Sequence, residues 1–318
     1  MSISRREFLG TAAAAGAVPH LLAAPETNAK GMPLRALGKT GAKVSILAFG
    51  CGSRFLAYKD EDEADRVLNH AIDIGIGYLD TAEAYGNGAS ERRVGRIVKT
   101  RRKEVFLATK ISARNGDAAM RRFEEGLRML NTDTVDVVHI HSLGEESDLA
   151  AIEAPDGVLK TMYKIRDQKM ARFIGITCHS NPAVLAKALD RHDFNMTQMA
   201  LNAALGGMVV RRAPKGGFQE VALPVANRKG MGVIAMKVFG QEMLNNEATP
   251  EELVRYSLTL PVSAAVIGMP QKSMIDDNVQ IAKNFAPFDG ERMRELSGEL
   301  STRKKAQLDA FFADHVDA

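Results

Sequence analysis

The stretch Val44-Ser45-Ile46-Leu47-Ala48-Phe49-Gly50-Cys51-Gly52-Ser53-Arg54-Phe55 decides the fold of this chain. Its first six residues are largely apolar and carry β-branched side chains, as a strand buried on both faces requires, and glycines close it. An open, doubly wound sheet places G-x-G-x-x-G directly after its first strand. Here Gly50 and Gly52 fill the first two positions, but Phe55 stands where the third glycine belongs. A parallel sheet in this chain must therefore be covered in another way.

Downstream, similar runs alternate with amphipathic segments. Ala64, Val67, Leu68, Ala71 and Ile72 follow the i, i+3, i+4, i+7, i+8 stripe of a helix, and Gly75 stops it. Further strands are expected over residues 76–81, 104–110, 135–141, 172–177, 197–202, 232–237 and 264–268. Helices are expected over 90–98, around 120–130 with Asp117 as cap, and through a long region ending at 168. Others follow around 182–189, 218–228, 251–259 and 273–282. Eight strand-helix steps predict an α/β fold, a single (β/α)8 TIM barrel. Residues 34–37 and 42–45 flank Gly38-Lys39-Thr40-Gly41 and read as an N-terminal hairpin that plugs the barrel bottom. Residues 288–317 add extra C-terminal helices. The 318-residue length alone would suggest two domains, but no linker or repeat interrupts 31–318, which reads as one.

Residues 1–30 read as a separate object. Ser4-Arg5-Arg6-Glu7-Phe8-Leu9 precedes a soft, Ala-rich apolar run over 11–24, with small residues at Leu22-Ala23-Ala24 and Thr27-Asn28-Ala29. Paired arginines before a short apolar run resemble a twin-arginine export signal, with cleavage expected. This implies the twin-arginine machinery as a partner and a periplasmic or otherwise exported location; without a working signal the chain would stay in the cytoplasm. The run is too short and too weakly apolar for a stable membrane anchor.

Composition removes other classes. Lys and Arg total 42 against 39 Asp and Glu, a net charge of +3 with no basic run, which gives no electrostatic case for nucleic acid. Cys51 and Cys178 follow the first and fifth strands, on opposite sides of a barrel, so no disulfide between them is expected. C-x-x-C, H-E-x-x-H and His pairs at helical spacing are lacking, so no metal site is expected.

Barrel enzymes work at the C-terminal ends of their strands. The second expected strand ends at Asp80 with Tyr85 in the following loop, the third ends at Lys110 and the fourth at His141. Any one of these alone reads as an ordinary salt bridge or solvated polar group. Together, on consecutive strands, they read as a site. A phenol beside an ammonium gives up its proton more readily. Asp80 would hold the Lys110 charge in place, and His141 would orient a substrate oxygen. His139 shares a face with His141 one layer deeper, where core filling or support of a neighbour is expected rather than catalysis.

Leu79-Asp80-Thr81-Ala82-Glu83-Ala84-Tyr85-Gly86, the Thr109-Lys110 strand end and Asp136-x4-His141 resemble the aldo-keto reductase signature, within a likeness extending over about 32–279. The resemblance implies an NAD(P)-dependent oxidoreductase that reduces an aldehyde or ketone, or oxidises the alcohol. Tyr85 would be its proton donor, Lys110 and Asp80 would tune that donor, and His141 would position the carbonyl. The same likeness points to a nicotinamide held near Thr177, Gln198 and Met236. Here Thr177 replaces a common Ser, Cys178 a common Asn, and Met236 a common aromatic. Gly268, Lys272, Ser273 and Asn278 match the segment that binds the adenosine phosphate. Lys272 and Ser273 favour NADP, while Met274 replaces a frequent basic residue and leaves NAD open. Ser142 follows His141 where many relatives carry Trp, which implies a more polar or more open pocket. The alternative is a non-catalytic nicotinamide-binding subunit or sensor in the periplasm, which the complete Tyr85-Lys110-His141 set argues against.

Overall fold

The computed structural model describes residues 26–206 and 216–313. The export segment expected at the N-terminus lies, through residue 25, outside the described residues. Eight parallel strands close into a barrel: β3 (Leu47–Gly50), β4 (Tyr78–Asp80), β5 (Phe106–Ile111), β6 (Val135–Ile140), β7 (Ala171–Cys178), β8 (Met196–Ala200), β9 (Gly232–Met236) and β10 (Ala264–Ile267), which pairs back onto β3. A two-stranded antiparallel hairpin, β1 (Leu34–Ala36) and β2 (Lys43–Ser45), precedes them.

Around the barrel run α1 (Glu61–Asp73), α2 (Ala89–Arg101), α3 (Gly116–Met129), α4 (Glu146–Glu153), α5 (Val158–Asp167), α6 (Pro182–Arg191), α7 (Phe218–Arg228), α8 (Pro250–Thr259) and α9 (Lys272–Lys283). Among the described residues the C-terminal material is one 24-residue helix, α10 (Gly290–Ala313), rather than several. Among the described residues no helix is long and apolar enough to cross a membrane.

Three expectations need correction. The run over 44–49 is two strands, because the Ser45 hydroxyl donates to the Leu47 carbonyl at 2.8 Å and accepts from the Gly77 amide at 3.1 Å. That local bonding turns the chain at Ile46 and separates hairpin from barrel. Asn115, not Asp117, caps α3, its side chain accepting from the Ala118 amide at 3.1 Å. Asp117 sits in the first turn, where its charge still favours the positive helix end. The long helix ending near 168 is broken into α4 and α5, since Pro155 offers no amide and drives Ala154 to a ψ of 156°.

The hairpin does cover the bottom of the barrel. Leu37 and Val44 are buried with Ala48, Tyr78, Phe106 and Ile234 in the cluster that fills the barrel interior. A Cβ on Gly232 would stand 2.5 Å from Leu37 Cδ1, so only glycine admits this plug. Arg35 ties the hairpin down by donating to the Leu258 and Val262 carbonyls, each at 2.9 Å.

Side chains alternate along each strand, so Phe106, Ala108 and Lys110 of β5 face the barrel interior while Thr109 faces the helices. Bulky apolar residues occupy the lower layers. The polar residues Asp80, Lys110, His139 and Gln198 occupy the upper ones, all buried, and this gradient places the chemistry at the top.

Candidate active site

The segment after β4 is folded tightly enough to return Tyr85 over the barrel mouth. Gly86 and Gly88 adopt left-handed backbones, with φ of +57° and +80°, and a Cβ on Gly86 would lie 2.8 Å from Leu56 Cδ1. The Ser90 hydroxyl donates to the Cys51 carbonyl at 2.6 Å and bonds the Thr81 hydroxyl at 2.7 Å, which ties the start of α2 to the ends of β3 and β4. Tyr85 is thereby fixed with its ring largely buried.

Lys110 is the hub. Its Nζ donates to Asp80 Oδ2 at 2.6 Å, to the Thr81 carbonyl at 2.8 Å and to the Tyr85 hydroxyl at 3.2 Å. An ammonium has three donors, and here all three are used. A lysine 1% exposed is tolerable only when its charge is compensated in this way. Because the Tyr85 oxygen accepts from Lys110, its own proton is left to point elsewhere. The ammonium also lies 4.7 Å from the Tyr85 ring centroid, a cation–π contact.

His141 follows β6 and sets its ring edge-on to Tyr85, with centroids 5.7 Å apart and planes at 79°. Its Nδ1 meets the Ser112 hydroxyl at 3.4 Å. Asp80, Tyr85, Lys110 and His141 are thus brought together as one cluster. His139 pairs in register with Lys110, is fully buried, and has no protein hydrogen-bond partner for either ring nitrogen. Burial, then the nearby Lys110 and His141 charges, hold its pKa well below 6.5, so it is a neutral core imidazole. Its ring lies against Gly175, where a Cβ would stand 2.4 Å from Nδ1.

Tyr85 and Asp80 line a cleft together with Gln198, Met236, Gly268 and Met274. Gln198 donates to Asp80 Oδ2 at 3.4 Å, while its Oε1 is buried without a protein partner. A primary amide so placed suits the carboxamide of a nicotinamide. A Cβ on Gly268 would meet Arg54 Cβ at 2.9 Å, so glycine keeps that wall open. Lys272 and Ser273 begin α9 beside Met274. Lys272 bonds Asp276 at 2.9 Å, so part of its charge is already answered. Asn278 is buried, donates to the Met274 carbonyl at 2.7 Å and leaves its Oδ1 unpartnered. The donor set fits a nicotinamide dinucleotide.

Thr177 does not line the cleft. It is fully buried and its hydroxyl accepts the Ser142 amide proton at 2.8 Å, an arrangement spent on the His141 loop. Cys178 faces the helices, its thiol against the Leu143 carbonyl at 3.1 Å.

Several cleft residues escaped the reading of the sequence. His179 lines the cleft because it extends the inward alternation of Gly175 and Thr177, a parity visible in the sequence. Arg54 and Glu242, from the loops after β3 and β9, pair at 2.6 Å and both line the cleft. Lys237, Gln241 and Glu242 have φ of 59°, 55° and 75°, a run of left-handed non-glycine residues that sequence patterns do not signal. Glu91 of α2 is buried behind β5, accepting from the Thr109 hydroxyl at 2.6 Å. Among the described residues no group of three or more potential ligands could hold a metal ion.

The family model for the aldo/keto reductase family matches residues 47–263, and the chain belongs to that family. It is similar to an L-galactose dehydrogenase of Arabidopsis thaliana, 27% identical over 315 residues spanning 85% of this chain and 95% of the relative. Its fold matches the holo form of an aldo-keto reductase from Bacillus halodurans, with a TM-score of 0.68 at 24% identity over 85% of this chain and 96% of that one. A Klebsiella pneumoniae aldo-keto reductase in complex with NADPH aligns with a TM-score of 0.66 at 21% identity, over 83% and 94% of the two chains.

Proposed function

We propose that this aldo-keto reductase interconverts a small polar aldehyde or ketone and its alcohol, with Tyr85 as the proton donor and NADP preferred over NAD. The observation that carries this reading is the triply bonded Lys110, which donates to the Tyr85 oxygen from within a buried pair. A nicotinamide held in the cleft would supply the hydride. Tyr85 then delivers its proton to the carbonyl oxygen, and the Lys110 ammonium stabilises the phenolate left behind. Asp80 and the Thr81 carbonyl hold that ammonium in place, so little reorganisation accompanies the transfer. His141, beside the Tyr85 ring, orients the carbonyl oxygen toward the phenol.

Gln198, Met236, Gly268 and the start of α9 would hold the dinucleotide, with Lys272 and Ser273 toward a 2′-phosphate. Ser53, His179 and Asn245 place polar groups in a cleft whose walls, with Met236, Phe239, Val266 and Met274, are otherwise largely apolar. Those polar groups support a small substrate that carries hydroxyls. The relative named L-galactose dehydrogenase makes sugars the first class to assay. A binding role without turnover finds no support in a complete proton-donor set. Export in the folded state is proposed on Arg5-Arg6 and the apolar run that follows.

The test is direct. Purified protein is titrated with NADPH and NADH by fluorescence, and oxidation of the bound reduced form is followed with polyhydroxylated, small dicarbonyl and aromatic carbonyls. Turnover of a hydroxylated carbonyl with NADPH is expected. An aromatic aldehyde outcompeting every small polar carbonyl would contradict the substrate class, and absence of nicotinamide binding would contradict the function.

A further inference from the structure

The loop carrying His141 is strained and unusually well tied. Ser142 has φ of +51° without being glycine, and its amide is taken by Thr177 Oγ1 at 2.8 Å. The Leu143 amide donates to the Thr177 carbonyl at 2.8 Å. The remaining restraint comes from Arg114, which no motif in the sequence singles out. Its Nη2 donates to the His141 carbonyl at 2.8 Å, to the Ser142 carbonyl at 3.1 Å and to Asp148 Oδ2 at 2.9 Å. Its Nη1 donates to the Ser112 carbonyl at 3.1 Å and its Nε to Asp148 Oδ1 at 2.7 Å. Every nitrogen of the guanidinium is engaged.

One feature of this fork reaches the chemistry. Arg114 grips the backbone of both Ser112 and His141, the two residues whose side chains meet at Nδ1 of the imidazole. The base of the fork is itself fixed, because the Arg114 carbonyl accepts from the Val158 amide at 2.8 Å. Asp148 is anchored too, accepting the Gly144 amide at 2.9 Å from the same loop. Burial pushes the Asp148 carboxyl up, but the Arg114 and Gly144 bonds outweigh it and hold its pKa below 3.8.

We propose that Arg114, braced by Asp148, is a positioning residue that fixes the His141 imidazole against Tyr85 by binding the Ser112, His141 and Ser142 carbonyls at once. The role rests on the reading of His141 as the group that orients the carbonyl. A planar fork is required, because a lysine ammonium at this position cannot bridge three carbonyls and a carboxylate.

Arg114→Lys and Asp148→Asn test it. Each is expected to lower kcat/KM for the carbonyl by about 10- to 100-fold, the usual cost of losing orientation, with NADPH affinity unchanged within about twofold. In a His141→Ala background, Arg114→Lys should add less than about a twofold loss, because the group it positions is gone. A kcat/KM within about twofold of wild type for both single variants, or an equal loss with and without His141, overturns the proposal. A second readout needs no turnover. In 15N-histidine spectra, assigned by His141→Ala, Arg114→Lys should shift or broaden the His141 ring signals. Unchanged signals overturn it as well. If His141→Ala itself turns over normally, the reading of His141 has failed, which is a different result from failure of Arg114.

Discussion

Replacing Glu91 with glutamine should stabilise the protein in a way that grows with pH. Glu91 is 2% exposed, wedged between α2, β5 and α3, and a Cβ on Gly126 would stand 2.8 Å from its Oε1. Burial, opposed by the Thr109 hydrogen bond and reinforced by the Glu83 charge, raises its pKa from 4.5 to about 7. With the folded value above the unfolded one, the favourable contribution of the neutral acid is complete below 4.5 and lost as pH rises through about 7. At ~1.4 kcal/mol for each pH unit separating the two values, ionisation costs the fold about 3 kcal/mol by about pH 8. Glutamine keeps the acceptor that Thr109 uses and has no charge to bury. Denaturant melts of wild type and Glu91→Gln should therefore be close at about pH 4 and diverge by about 3 kcal/mol at about pH 8. A difference that stays constant across this range would refute the placement of a titrating carboxyl behind β5.

Lys110→Met should remove about 3–5 kcal/mol of stability by stranding Asp80 in the interior, and adding Asp80→Asn should restore much of it without restoring turnover. Denaturant melts and kcat on the single and double variants separate the two effects. Glu242→Ala breaks a half-exposed pair across the cleft with Arg54, worth ~0.2–1 kcal/mol, and should speed NADPH release up to about fivefold in stopped-flow fluorescence. The same acceleration should appear in wild type at about 1 M salt. Arg5→Lys with Arg6→Lys should leave the chain in the cytoplasmic fraction of a bacterial host, and secretion of the double variant at wild-type levels would remove the export proposal.

The barrel was legible because its signals are local. Ala64, Val67, Leu68, Ala71 and Ile72 mark a helix face without reference to anything distant, and all five are buried. The cluster of Asp80, Tyr85, Lys110 and His141 was legible for a related reason, since ends of adjacent parallel strands must meet. What escaped depends on where a side chain goes after it leaves the backbone. Thr177 points inward, as parity requires, yet its hydroxyl is taken by the Ser142 amide, a bond across two strands that spacing does not encode. Glu91 looks like an exposed helical acid until Gly126 of the neighbouring helix is seen to leave it room. Arg114 gains its role from three carbonyls presented by two loops, and backbone acceptors are invisible in a sequence.

The proposed chemistry depends first on the Tyr85 hydroxyl. Tyr85→Phe removes one oxygen and leaves the ring beside His141 and over Lys110, so NADPH should bind within about twofold of wild type. Single-turnover oxidation of that bound NADPH by the best carbonyl should fall by about 10²–10⁴-fold, the contribution of a positioned general acid. A Tyr85→Phe protein that binds NADPH and reduces the carbonyl at the wild-type rate would contradict the assignment of the proton donor.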